Sequence, residues 1–356
     1  MNFDYSEDEK VLKETLRRLL ASRNGRRRVL DGGESFDRPL WAALAESGWL
    51  AAGLPEAFGG QDLGPVALCA IAEELGFALA AVPFLGTTIG AVAVTLAGSE
   101  SQRHDLLPAL GRGEVIAALA IDDEPQVAFT NGRLHGRLPA VTDGATAQIA
   151  LVSARGDSGT GLCIVALDAP GVRRQARTSI DPTRPVSSLE FDHVPAEPLG
   201  RPGDGLIERL RDQAAVLAAF EQLGGADAAL AMTRDYALAR HAFGRPIGRF
   251  QAVKHKLADI YIGNELARAN AYYAAWALAQ GGPELPLAAA TARVSATEAF
   301  DRAAREAIQI HGGISITWEH DCQLYYRRAR HLAVTLGPPA GWRRRLVAAL
   351  AVQHAA

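Results

Sequence analysis

The chain has 356 residues, enough for two or three domains or one large composite fold with an ample core. Hydrophobic residues at 48% and charged residues at 22% are the mix of a soluble globular protein, and a net charge of −3 offers no bulk attraction to nucleic acid or to an anionic membrane. Cys69, Cys163 and Cys322 are isolated: an odd number excludes a complete disulfide framework, their spacing suits no metal, and a reducing cytoplasm is the compartment this predicts.

The opening stretch, Met1 to Glu7, is polar and acidic and lacks the basic and apolar regions of a signal peptide. Ser6 suits a helix N-cap, and Val11, Leu12, Leu16, Leu19 and Leu20 recur at helical spacing to about Ala21. A second helix fits 39–47. Leu54-Pro55-Glu56-Ala57-Phe58-Gly59-Gly60 is a loop by its proline and glycines. Apolar helices follow over 64–80 and 84–98, with a short one over 101–111; the alanine-rich 86–97 is too short to span a bilayer. Two basic runs, 26–28 and 343–345, read as solvated helix ends.

The texture changes at Glu114. The segment 115–121 is short, apolar and compatible with a strand. Asn131-Gly132 is a strong hairpin turn between strands over 126–130 and 133–138. Further strands fit 149–153, 161–167 and 187–191. From Leu206 the chain turns helical again: 211–240, 250–280 stopped by Gly281-Gly282-Pro283, 285–311, 323–330 and 341–352. Helices, then strands, then helices predict an α+β fold: an N-terminal helical domain over 1–113, a middle β domain over 114–200 and a C-terminal helical bundle over 201–356.

The densest chemistry lies in Arg240-His241-Ala242-Phe243-Gly244-Arg245-Pro246-Ile247-Gly248-Arg249-Phe250-Gln251. An arginine fork matches a diphosphate, an aromatic face suits a ring, and glycine lets backbone approach a ligand. The string resembles the R-x-x-F-G-x-P-I-x-x-F-Q signature of acyl-CoA dehydrogenases. Gln309-Ile310-His311-Gly312-Gly313 resembles the family's Q-x-x-G-G element, although by itself it also reads as a glycine helix stop with a histidine in the last turn. The Pro55–Gly60 turn, and Ser188-Leu189-Glu190-Phe191-Asp192-His193-Val194-Pro195 followed by Leu199-Gly200, resemble two further family elements. The resemblance runs over nearly the whole chain and is weakest in the middle of the β domain. It implies the acyl-CoA dehydrogenase fold with a C-terminal four-helix bundle, and FAD as cofactor. It also implies that Arg240, Ala242, Phe243, Ile247, Phe250, Gln251, Gln309, His311, Gly312 and Gly313 serve the adenosine diphosphate end of an FAD seated mainly in a neighbouring subunit. Ala242 stands where the family commonly carries Thr or Ser, one hydroxyl donor fewer.

Two departures bear on activity. Family members that seat the flavin ring carry a T-E-P-x-A-G-S-D loop; the matching stretch here is Leu119-Ala120-Ile121-Asp122-Asp123-Glu124-Pro125-Gln126, with only Asp123-Glu124-Pro125 in common, and no tryptophan occurs in 114–200. The family's reaction also needs a carboxylate to take the α-proton of the acyl-CoA. Leu336 and Ala214 occupy the two positions from which it draws that base. Glu221 is the remaining carboxylate in the apolar part of its helix; there a carboxylate needs a partner, and a buried pairing with an arginine competes with a role as base. Asp235, Asp259 and Glu265 read as helix-surface or interface charges.

These features predict the partner subunit of a heteromeric (α2β2) acyl-CoA dehydrogenase of actinobacterial lipid or sterol breakdown, cytoplasmic, with no catalytic Glu of its own and acyl-CoA held mainly by the catalytic subunit. Leu324-Tyr325-Tyr326-Arg327-Arg328-Ala329 and Ala218-Ala219-Phe220-Glu221-Gln222-Leu223-Gly224 resemble such subunits. A self-sufficient homo-oligomer with an atypical base and a non-catalytic relative of the same fold remain open alternatives.

Overall fold

The computed structural model describes residues 5–122 and 124–355, with side chains described as far as 351. The signal-peptide reading of residues 1–4 and the Asp123 part of the Asp123-Glu124-Pro125 fragment lie outside the described residues.

In chain order come α1 (Glu7–Arg23), α2 (Arg26–Gly32), α3 (Arg38–Glu46), α4 (Gly64–Phe77), α5 (Phe84–Ala97) and α6 (Glu100–Gly111). Strands β1 (Ala117–Ala120), β2 (Val127–Thr130), β3 (Arg133–Thr142), β4 (Ile149–Gly156), β5 (Gly159–Ala166), β6 (Val172–Arg177), β7 (Val186–Pro195) and β8 (Glu197–Leu199) follow. Then come α7 (Leu206–Ala239), a hairpin of β9 (His241–Ala242) and β10 (Arg245–Pro246), α8 (Gln251–Gln280), α9 (Leu285–His311), α10 (Cys322–Val334) and α11 (Pro339–Ala355). The α+β order expected from the sequence is the one observed.

Caps explain several boundaries. Ser99 and Gln102 form a reciprocal capping box at α6. Asp37 accepts from the Leu40 amide at the start of α3 and binds Arg28 at 2.8 Å. The basic run 26–28 stands at the first turn of α2, a helix end as the sequence suggested. Among the described residues α7 is the one helix long and apolar enough to cross a membrane, and 78% of its most apolar window is buried in the fold.

The chain divides into two compact units, 1–22 with 69–80 and 215–356, and 23–68 with 81–214. The second unit holds an eight-stranded sheet in the order β6-β7-β3-β2-β4-β5-β8, with β1 also on β4. Both β1 and β2 run parallel to β4, at Ala117–Ala120 against Ile149–Val152 and at Ala128 against Arg155. They lie end to end along one edge of β4, and the 121–126 loop bridges the gap between them. The Asn131-Gly132 turn has φ of +51° and +73°, both positive as a two-residue hairpin requires. Strands β6 and β8 were not expected. β6 reads Val172-Arg173-Arg174-Gln175-Ala176-Arg177, is mostly exposed at the sheet edge, and carries no alternating apolar signal.

The first unit is helical. Where α4 crosses α7, a Cβ on Gly76 would sit 2.0 Å from the Glu221 carbonyl oxygen and one on Gly224 would sit 1.9 Å from that of Glu73. Glycine at both positions is what lets the two backbones touch. Across this crossing Glu73 is buried against Lys13, Arg268 (2.6 Å) and the Tyr5 hydroxyl (2.8 Å). Burial alone would raise the Glu73 carboxyl, but Lys13 and Arg268 outweigh it and hold it below its usual range.

Candidate functional site

The hairpin after α7 begins from backbone geometry. Phe243 (φ +52°) and Gly244 (φ +77°) form a two-residue turn, and Arg245 and Pro246 pair back onto Ala242 and His241. The Ile247 amide closes the loop on the Arg240 carbonyl at 2.8 Å. The turn projects Phe243 into solvent, 94% exposed, with its ring edge-on to Phe250 at 6.2 Å. Arg245 lies over the Phe250 ring at 4.5 Å. Arg240 and Gln251 are exposed; Ala242, Ile247 and Phe250 are half-buried.

The second motif ends α9. Gln309, Gly312 and Gly313 are exposed, and a Cβ on Gly244, Gly312 or Gly313 would meet no atom within 4 Å. His311 is buried under this turn. Its Nδ1 bonds the Ala307 carbonyl at 2.8 Å, so its Nε2 carries the lone pair, and that atom is buried without a hydrogen-bond partner. Burial holds the imidazole below its usual pKa, favouring the neutral ring.

One contact joins the two motifs. Tyr236, one turn before Arg240 on α7, stacks on His311 with centroids 4.3 Å apart and planes 24° apart, and its hydroxyl donates to the His311 carbonyl at 3.3 Å. The helix end bearing Arg240 and the helix end bearing Gln309–Gly313 are thereby fixed side by side. All ten sequence-predicted cofactor residues lie on these two adjoining segments. An arginine side chain with no partner among the described residues, exposed aromatic and glutamine side chains and open space over three glycines fit the diphosphate and adenosine of a dinucleotide. The Tyr236 contact had no sequence signal beyond a one-turn spacing from Arg240.

The two positions where the resemblance expects a base look different. Ala214 is fully buried. Leu336 is half-buried with φ +65°, in a loop held by a buried arginine that the sequence reading missed: Arg293 donates to the carbonyls of Leu332 and Thr335 (2.7 Å) and to Gln222 (2.5 Å). The Trp342 indole donates to the Leu336 carbonyl at 3.0 Å. Burial pushes the Arg293 guanidinium down to about 10, with Glu221 pulling the other way, so it stays charged at neutral pH. Glu221 is itself 5% exposed and ion-paired to Arg328 at 3.1 Å, while Arg328, 1% exposed, also reaches the Ala80 carbonyl. Asp235 is exposed beside Arg234, Glu265 is exposed near Arg268, and Asp259 is exposed.

In the sheet-bearing unit, the 121–126 loop is tied by the Asp122 amide to Ser153 Oγ at 2.8 Å. A cleft of about 320 Å³ opens beside it, lined in part by Asp122, Arg201, Asp204, Glu208 and Arg211. Three carboxylates against two arginines make it a poor anion site, and Asp204 is spent capping the Leu206 amide of α7 at 2.9 Å.

Helical ends flanking a mixed sheet, with paired motifs of this kind, define a protein of the acyl-CoA dehydrogenase fold. Sequence profiles of the acyl-CoA dehydrogenase N-terminal and C-terminal domains match residues 6–114 and 206–350. The chain is 37% identical over 345 residues to acyl-CoA dehydrogenase IpdE2 of Mycobacterium tuberculosis, covering 96% of each. It is similar to the solved ChsE4–ChsE5 complex from Mycobacterium tuberculosis, with TM-score 0.92, 32% identity and 99% of each chain covered. A variant of the Tcur3481–Tcur3483 steroid ACAD gives TM-score 0.92 and 32% identity over 98% of this chain and 99% of that one. The chain belongs to the acyl-CoA dehydrogenase family.

Proposed function

We propose that this chain is the cofactor-donating, non-catalytic subunit of a heteromeric flavin-dependent acyl-CoA dehydrogenase that introduces an α,β double bond into an acyl-CoA. One contrast carries the reading. Of the residues suited to the adenosine diphosphate end of FAD, Arg240, Phe243, Gln251, Gln309, Gly312 and Gly313 stand exposed on adjoining segments, whereas Leu336 and Ala214 fill the positions where the resemblance expects a base and Glu221 is locked onto Arg328. A motif that faces outward with no described residue over its glycines suits a cofactor presented by another subunit. The solved relatives add support, one being the ChsE4–ChsE5 complex and the other a steroid ACAD.

When bound, FAD supplies the two-electron acceptor for the oxidation. This chain's residues would bind and orient it: Arg240 would neutralise the diphosphate, Phe243 and Phe250 would offer apolar faces, and Gln251 and Gln309 would supply directional donors and acceptors. His311, a buried neutral ring stacked on Tyr236, supports the turn from beneath. The catalytic carboxylate and most acyl-CoA contacts come from the partner, in an α2β2 assembly of the cytoplasm. The divisions 1–113, 114–200 and 201–356 are the helical, β and bundle domains of this reading.

The test is the FAD-to-protein ratio, read by absorbance, for the chain purified alone and with the acyl-CoA dehydrogenase encoded beside it. Little flavin alone and stoichiometric flavin in the complex are expected. A yellow, active homo-oligomer of this chain by itself would sink the proposal.

A further inference from the structure

We propose that His135, Asp192 and His193 form a surface site for a divalent transition-metal ion such as Zn²⁺, independent of the cofactor reading. The site arises from a fault in the sheet. Strand β3 pairs with β7 at Leu134–Val194 and again at Gly136–Phe191, with a register shift between. His135 alone on β3 therefore opposes both Asp192 and His193 on β7, the two-against-one count of a β-bulge. A bulge turns side chains that would alternate across the sheet onto one side.

The backbone holds this arrangement firmly. The Asp192 amide bonds the Gly171 carbonyl at 3.0 Å, and Arg133 Nη1 donates to the His193 carbonyl at 2.8 Å. His193 sits at φ +52°, a left-handed conformation in which glycine is unstrained. The strained position carries an imidazole, stacked on that of His135 with centroids 4.9 Å apart and planes 25° apart. One ligand-capable atom from each of the three residues lies within 4.8 Å of the others. Tetrahedral coordination at about 2.0–2.2 Å per bond needs separations of roughly 3.3–3.5 Å. Coordination requires both imidazoles to rotate out of their stack so that their in-plane lone pairs converge with the Asp192 carboxylate on one ion.

The donor atoms are also unspent. All three residues are exposed, and among the described residues none of their side chains makes a hydrogen bond or ion pair. The other histidine-rich cluster, His311, His320 and Cys322, differs: His311 Nδ1 is engaged by Ala307 and His320 Nδ1 by the Cys322 amide. Two imidazoles and a carboxylate suit borderline ions such as Zn²⁺, Co²⁺ and Ni²⁺, and leave a position for water or a ligand from another molecule. No spacing rule finds the site, because residues 135 and 192–193 meet only through the bulge.

The experiment titrates the full chain, stripped with a chelator, with Zn²⁺ by calorimetry and with Co²⁺ by visible absorbance. One saturable equivalent per chain is expected. His135→Ala, Asp192→Asn and His193→Gly should each weaken it by at least about tenfold, the effect of losing even an outer partner of a metal ligand. His193→Gly keeps the left-handed backbone and should not lower the metal-free melting temperature, which separates ligand loss from misfolding. Absence of saturable binding, or wild-type affinity in all three variants, overturns the proposal.

Discussion

The middle and the close of the long helix α7 make opposite use of charge. At its close Arg240 is exposed and, among the described residues, held only through its backbone. Mid-helix, Glu221 is buried and satisfied by Arg328 within the fold. A polar side chain fully engaged inside its own fold is structural chemistry; one presented on a rigid frame without a partner is binding chemistry. A general base must reach a substrate proton, and Glu221 spends its charge on an arginine instead.

Breaking the closed side should have the largest effect. Glu221→Ala strands the Arg328 charge in the interior and is expected to cost about 3–5 kcal/mol in urea unfolding. A loss below about 1 kcal/mol would show the pair is not closed as described. Next comes the open side: Arg240→Ala removes charge-assisted bonds of about 1.5–3 kcal/mol, so flavin retention in the complex should fall roughly 10- to 150-fold. The unfolding free energy of the chain alone should shift by no more than about 0.5 kcal/mol, as for other surface substitutions. A smaller change follows from Phe243→Gly. Relief of the positive φ and the entropic cost of glycine nearly cancel, leaving stability within about 0.5 kcal/mol, while flavin retention drops. The smallest effect is in pH. Burial holds His311 below the ordinary histidine value of 6.5, so on acidification the unfolded chain protonates first. Stability is fully present above 6.5 and declines as pH falls below it, by at most about 1.4 kcal/mol per pH unit for one group. His311→Asn should flatten that decline in pH-dependent unfolding curves; an unchanged curve would place the dependence elsewhere.

Much of the fold was legible because its signals are local. Caps, glycine stops and the Asn131-Gly132 turn act through neighbouring residues, and the helices and main strands fall where periodicity puts them. Strand β6 and helix α2 were not legible: the first is an exposed, arginine-rich edge, the second a short helix opened by a charge run whose Arg28 is fixed by Asp37 nine positions on. At the site, residue types were readable and adjacency was not. Arg240 and Gln309 declared their chemistry, but the Tyr236–His311 stack that places them together is a tertiary fact. A buried carboxylate at Glu221 implied a cationic partner without saying which, and nothing in the pattern around Arg293 marks it as the clamp on the Leu336 loop.

The end-to-end placement of β1 and β2 along β4 has a consequence for how this chain could diverge. Because β4 carries both ladders, the 121–126 bridge lies outside the hydrogen-bonded register. Its length and composition can drift without sliding a single strand. The sheet can therefore keep its strands in register while the loop between β1 and β2 changes.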